Sequence, residues 1–180
     1  MTPPWVHPIF LLTNLFLLLH CSQPLNAQAE HPVPQGIFLE AGGAAPYYSL
    51  NYTRQLFAAE KVSGHFRIGG AVWGKGLAMP VGASLLLGGG AHHPELTLTL
   101  TPYSEGLRFW NRDDSDLLLD LVLGVGYRYQ PASGAFFVAA GLFPYLHFDP
   151  TPAALSEEQA ELRFRLGLSV GWYFNSPQTP

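Results

Sequence analysis

The sequence predicts an all-β protein: a single closed, antiparallel, up-and-down β-barrel of eight strands, transmembrane, following a cleaved signal peptide. Three observations carry this prediction. Beyond Gln35, hydrophobicity alternates with a period of two through segment after segment. Clusters of Gly, Pro, Asp and Ser separate those segments. No apolar run in this part of the chain reaches the ~20 residues that a helical span requires. A period of two belongs to strands, whose successive side chains point to opposite faces.

The first element is a leader. Residues 8–19 read PIFLLTNLFLLL, the length of a signal-peptide core and too short for a spanning helix. Ala27-Gln28-Ala29 fits a small-x-small cleavage site, so residues 1–29 form the expected signal peptide and 30–180 the outer-membrane β-barrel domain. The cysteine at position 21 follows His20, where a lipid-attachment site wants a small residue, and is read as a passenger in the leader. The chain after the cut then holds no thiol, which excludes disulfides, cysteine nucleophiles and cysteine-based zinc sets.

Eight strands follow, at 36–42, 47–56, 62–73, 77–87, 95–102, 116–130, 135–143 and 161–174. The last is the clearest. Leu162, Phe164, Leu166, Leu168, Val170, Trp172 and Phe174 form one face, and Glu161, Arg163, Arg165, Gly167, Ser169, Gly171 and Tyr173 the other. In 95–102, Leu96, Leu98 and Leu100 oppose Thr97, Thr99 and Thr101. In 116–130, Leu117, Leu119, Leu121, Leu123, Val125 and Tyr127 oppose Asp120, Gly124, Gly126 and Arg128.

Volume decides which face meets the lumen. An eight-stranded barrel has little interior space. Seven large side chains from one strand, with similar sets from its neighbours, would overfill it, whereas glycine, small polar residues and a few charges fit. The apolar face is therefore expected outward, against lipid. Strands of up to about 13 residues agree, because a tilted membrane strand needs about 9–11 and soluble strands usually have 5–6. Interface belts are expected from Tyr127, Tyr129, Trp172 and Phe174 on the periplasmic side and from Trp73, Tyr103, Trp110 and Tyr145 near the opposite rim. Short turns at 57–61, 88–94 and 131–134 contrast with long segments at 103–115 and 144–160, the asymmetry of periplasmic turns and extracellular loops.

The segments 47–56 (YYSLNYTRQL), 79–100 (MPVGASLLLGGGAHHPELTLTL) and 124–144 (GVGYRYQPASGAFFVAAGLFP) resemble a family of small outer-membrane β-barrel proteins of Bacteroidetes-type Gram-negative bacteria. The resemblance covers most of the chain after the leader and implies fold and location, the cell outer membrane; it carries no activity to transfer. The end Trp172-Tyr173-Phe174 resembles the aromatic strand end used by barrel-assembly machinery, with Asn175–Pro180 following it.

The inward polar set is where chemistry would lie. Glu40, Asp120, Glu161, Arg163 and Arg165 are expected to share one charge network below the loops, with Arg67 and His65 lower and Arg54 and Arg128 near the periplasmic end. Arg–carboxylate pairs of this kind normally fill narrow barrels. Ser63 and His65 share a face, but two residues along a strand span ~6.5–7 Å, which argues against a Ser–His bond. His92-His93 has no third ligand nearby, Gly88-Gly89-Gly90 lacks the Lys-Ser/Thr of a phosphate loop, and Asp113-Asp114-Ser115-Asp116 reads as a solvated loop cluster. No catalytic, metal or cofactor site is assigned. With a net charge of −4 and no basic stripe, nucleic acid is not an expected partner. The expected partners are membrane lipid, the assembly machinery and an extracellular partner of the long loops. The expected role is structural or interaction-bearing around a plugged polar lumen. The alternatives are a lipid-modifying enzyme and a secreted soluble barrel with an apolar ligand inside.

Overall fold

The computed structural model describes residues 33–73, 76–104, 117–131, 135–148 and 161–174. The leader, residues 105–116 and 149–160, and with them Trp110 and the aspartate cluster up to Asp116, lie outside the described residues.

Nine β elements follow one another: β1 (Gln35–Gly42), β2 (Tyr48–Ala59), β3 (Val62–Trp73), β4 (Gly76–Ala78), β5 (Val81–Leu87), β6 (His92–Ser104), β7 (Leu117–Tyr129), β8 (Phe136–Phe148) and β9 (Glu161–Tyr173). β4 and β5 are two pieces of the fourth barrel strand, since both pair antiparallel with β3 on one side and β6 on the other. The strand expected at 77–87 is thus broken at Met79-Pro80. Pro80 has no N–H for a ladder. Its carbonyl accepts from the Gly69 amide at 2.8 Å, and the Met79 amide donates to Pro102 at 3.0 Å, so the break costs no hydrogen-bonded neighbour. Every neighbouring pair is antiparallel, and β1 meets β9 from Gly36↔Tyr173 to Gly42↔Gly167. The result is a closed eight-stranded barrel.

The faces follow the alternation. Leu98, Leu166 and Leu168 project outward at 56%, 77% and 65% exposure, while Thr99, Thr101 and Asp120 are fully buried. One end holds the start of β1 and the end of β9; we call it the terminus end. Links there are short: Glu60-Lys61 joins β2 to β3, and residues 88–91 join β5 to β6 with positive φ at Gly88 and Gly90. β6 begins at His92 and reaches Ser104, and β8 continues to Phe148, so parts of the expected turn at 88–94 and of the segments 103–115 and 144–160 are strand.

The lumen is less polar than the alternation suggested. Phe38, Val122, Phe137, Phe143, Tyr145 and Tyr173 are buried inside. Glycines make room for these rings. A Cβ on Gly124 would lie 2.6 Å from the Phe143 ring, and one on Gly171 2.4 Å from Phe137 and 2.5 Å from Phe38. Three residues of the expected outer aromatic belt, Trp73, Tyr103 and Tyr145, also turn inward. They share parity with Ala71, Thr101 and Phe143, which face the lumen, and Trp73 and Tyr103 pack with Ala45, Ala71 and Ala78 at the far mouth. The belt at the terminus end does face outward: Tyr127, Trp172 and Phe174 are half exposed.

The β1–β2 loop folds into that far mouth. Gly42 and Gly43 take φ of 67° and 71°, reversing the chain so that Gly43, Ala44 and Ala45 are buried. The Ala44 amide donates to Glu40 Oε1 at 3.0 Å and its carbonyl accepts from Thr101 Oγ1 at 2.8 Å, across the barrel. Gly167 provides the seat: a Cβ there would lie 2.9 Å from the Gly43 Cα and 2.4 Å from the Phe143 ring. Gly167→Ala is expected to lower the unfolding free energy by about 1–3 kcal/mol, the usual cost of overpacking. Gly70→Ala, whose Cβ meets nothing within 4 Å, leaves it unchanged. Urea titration of the two variants in lipid vesicles measures the difference.

Candidate functional site

Three arginine units occupy the lumen, each built from a guanidinium, a carboxylate and an aromatic ring. Nearest the terminus end, β7 supplies Arg128 and β6 supplies Glu95. Arg128 Nη2 donates to Glu95 Oε1 at 2.6 Å, Nε to Oε2 at 3.1 Å and Nη1 to the Tyr173 hydroxyl at 2.9 Å. Its guanidinium lies 4.2 Å from the Phe137 centroid.

The middle unit joins β3 to β1. Arg67 Nη2 and Nη1 donate to the two oxygens of Glu40 at 2.8 and 3.2 Å, and Nη2 also reaches Asn51 Oδ1 at 3.3 Å. Ser169 donates to Glu40 Oε2 at 3.3 Å, and Phe38 lies 4.8 Å beneath Arg67. Since Glu40 also holds the Ala44 amide, one carboxylate ties the arginine to the inward loop.

The third unit lies at the far mouth. Arg165 from β9 pairs with the fully buried Asp120 of β7 and stacks 3.7 Å from the Tyr145 centroid. His147 Nδ1 lies 2.9 Å from Asp120 Oδ1 and 3.2 Å from the Tyr103 hydroxyl. Planar guanidinium suits this arrangement, because it donates in its plane to a carboxylate while its face rests on a ring. Between the lower and middle units, a cavity bounded by Glu40, Arg67, Glu95, Thr97, Arg128 and Ser169 has about 20 Å³ of free volume, on the order of one water.

The residues expected to form one network therefore divide. Glu40 joins Arg67, and Asp120 joins Arg165. Glu161 and Arg163 pair with each other at the exposed rim. His65 sits lower, 6.3 Å from the Tyr173 ring. The barrel is too long for single side chains to link both ends, so opposed charges pair within a tier. Arg54 does not face the lumen at all: it shares parity with Tyr48 and Leu50 and is exposed outside. The spacing argument against a Ser63–His65 bond also fails, because Ser63 Oγ lies 3.1 Å from His65 Nε2. Side chains lean along the strand and shorten the backbone separation. His65 Nδ1 has no hydrogen-bond partner among the described residues, and the ring packs beside Tyr173.

Sequence reasoning passed over Glu95, Tyr173 and His147 as site members. Parity alone would have found Tyr173 and Glu95 and, once β8 is extended to its observed end, His147. Adjacent His92 and His93 point to opposite faces, His92 outward beside Tyr127. No group of three metal-binding side chains occurs among the described residues.

Among solved structures, the barrel is similar to the N-terminal β-barrel domain of Pseudomonas aeruginosa OprF, with a TM-score of 0.50 and 19% identity over 82% of this chain and all of that one. It is also similar to the Yersinia pestis outer membrane protein Ail, solved in a phospholipid bilayer nanodisc, with a TM-score of 0.41 and 11% identity over 79% of this chain and 99% of that one. The OprF likeness is one of fold. No protein-family model and no curated protein matches the chain.

Glu95→Gln removes one partner of a buried ion pair and is expected to destabilise the barrel by about 3–5 kcal/mol, while Glu95→Leu combined with Arg128→Met regains most of that loss. Urea midpoints of the single and double variants test it; equal midpoints for the two would show that the charges are not coupled.

Proposed function

We propose that this chain is an outer-membrane β-barrel protein of a Gram-negative, Bacteroidetes-type bacterium, structural or interaction-bearing, with a lumen closed to ions and metabolites. The observation that carries the reading is the inverted surface. Leu98, Leu123, Val125, Leu142, Leu166 and Leu168 are each 45% exposed or more, while Glu40, Arg67, Asp120 and Arg128 are at most 4% exposed. Water would make so large an apolar exterior unfavourable by roughly 25 cal/mol per Å². Hydrocarbon removes that cost, and closure leaves no unpaired strand edge to face it. Strands of 12–13 residues suit a tilted span. The same closed fold in the OprF barrel domain is consistent with this reading.

The terminus end then faces the periplasm, with its short links and its belt of Tyr127, Trp172 and Phe174. β6 ends at Ser104 and β8 at Phe148, both at the opposite end of the barrel, so the proposed extracellular partner would meet the long segments that follow them. The aromatic end of β9 suits recognition by barrel-assembly machinery. Paired arginines and a cavity of only about 20 Å³ between Glu40 and Glu95 favour a closed lumen. A lipid-modifying reading draws on the Ser63–His65 contact, but that contact faces the lumen, away from lipid, and no acid among the described residues hydrogen-bonds His65 Nδ1.

Cell fractionation is expected to recover the protein with outer-membrane markers, resistant to carbonate extraction, as a species that migrates faster on gels before boiling than after. Recovery in the soluble periplasm overturns the reading. In planar bilayers conductance is expected to be negligible, and large steady channels would overturn the closed lumen. Lipid profiles of a deletion strain are expected to match the parent, and a missing lipid modification would restore the enzyme.

A further inference from the structure

Arg54 has no role in the lumen and stands apart from everything around it. Among the described strands it is the only Asp, Glu, Lys or Arg on the outward face. It lies in β2 opposite Gln35 of β1 and Phe66 of β3, one step closer to the terminus end than Tyr52. The Tyr52 hydroxyl points the same way and donates to Gln35 Oε1 at 2.8 Å. Arg54 forms no ion pair among the described residues. Directly beside this polar tier the surface is hollow. Ile37, Leu39, Leu50, Phe136, Val170 and Trp172 border an open, shallow hollow of about 480 Å³ over the backbone of Gly171. A second hollow of about 580 Å³ shares Leu39 and Val170 and continues over Ala41 and Ala140, where short side chains sit between Leu168 and Tyr127.

We propose that Arg54 and this hollow bind one anionic glycerophospholipid of the periplasmic leaflet, its phosphate on the guanidinium and an acyl chain along Ile37, Leu39 and Val170. The proposal rests on the membrane reading above. Three features favour this occupant. A guanidinium matches two phosphate oxygens at once with parallel N–H donors. Its height, level with a tyrosine hydroxyl and below an unbroken apolar band, is that of a headgroup. A cation on the lipid face costs about 2–4 kcal/mol at the bilayer midplane and close to nothing near the interface, so an arginine without a protein partner is tolerable only where a headgroup can reach it. The trough is apolar throughout, which suits an acyl chain, and a second copy of this chain would need to bury the same arginine without offering an acid from its own outward face.

Trp172 lines the hollow and reports on its contents. In the chain lacking the leader, Trp73→Phe and Trp110→Phe leave Trp172 as the only tryptophan. This protein is reconstituted in phosphatidylcholine vesicles containing a minor fraction of either dibrominated phosphatidylglycerol or dibrominated phosphatidylcholine, and quenching is compared. Quenching is expected to show about a fivefold preference for phosphatidylglycerol, the enrichment that one basic side chain supplies at a membrane surface. Arg54→Gln should bring the preference to about one, and Arg54→Lys should keep part of it. Arg54 is exposed, and an unchanged shift in gel mobility on heating checks that each variant folds. No preference in the parent, or the same preference in Arg54→Gln, overturns the proposal. In vesicles made wholly of dibrominated phosphatidylcholine, protein that floats with the vesicles but escapes quenching has its hollow covered by another copy, which overturns the lipid site alone. Protein that fails to float overturns the membrane reading itself.

Discussion

The pairing of β1 with β9 is the interaction on which the rest of the molecule depends. Until those strands meet, β1 and β9 each present a row of unsatisfied N–H and C=O groups, and the sheet has two edges. Once they meet, from Gly36↔Tyr173 to Gly42↔Gly167, every wall strand has neighbours on both sides. Closure also removes freedom elsewhere. A one-residue slip anywhere would turn a strand's leucines into the lumen and its charges outward, so the register of all the strands is held by the same condition. Glycines at both ends of the seam show the tightness of that approach: a Cβ on Gly36 would lie 2.5 Å from the Trp172 carbonyl oxygen, and one on Gly42 2.1 Å from that of Leu166.

A closed eight-stranded wall encloses a narrow space, and the lumen is the solution to filling it. Charge alone fills it poorly, because each buried ion must be paired within reach. Rings alone would leave hydroxyls and amides without partners. Here each guanidinium spans both requirements, with its edge on a carboxylate and its face on Phe38, Phe137 or Tyr145. The rings in turn need glycines opposite them, which explains why Gly124, Gly167 and Gly171 alternate with the largest outward side chains. The inward loop at Gly43–Ala45 completes the filling at the far mouth. The Gly43 amide donates to the Leu166 carbonyl, and the Ala44 peptide is met by Glu40 and Thr101.

Much of this was legible from alternation. Parity assigned Leu98, Leu166 and Leu168 outward and Thr99, Asp120 and Arg128 inward, and the link at 88–91 fell where glycines cluster. Two kinds of feature escaped it. Pairing depends on register and stagger between strands, which no single segment encodes, so Glu40 could not be matched to Arg67 past the intervening β2, nor Glu95 diagonally to Arg128 on the adjacent β7. Exceptions to solvation rules escaped as well. AGGAAP reads as an ordinary turn, and only the three-dimensional fit against Gly167 and Tyr103 turns it inward. Arg54 was drawn toward the lumen because charge was expected inside, against its own parity with Leu50 and Tyr52.

A barrel wall has two polar environments, the lumen and the headgroup layers, and parity distinguishes them where residue type does not. Arg67 and Arg54 lie on adjacent strands at neighbouring register positions, Thr53↔Arg67 and Arg54↔Phe66. Their side chains nevertheless leave the wall in opposite directions. Arg67 is answered by Glu40, a partner the chain supplies. Arg54 has no such partner among the described residues, and the proposed headgroup site at the terminus end would supply one. In the proposed lipid site, this one unanswered cation is what distinguishes a built contact from a surface that is merely apolar.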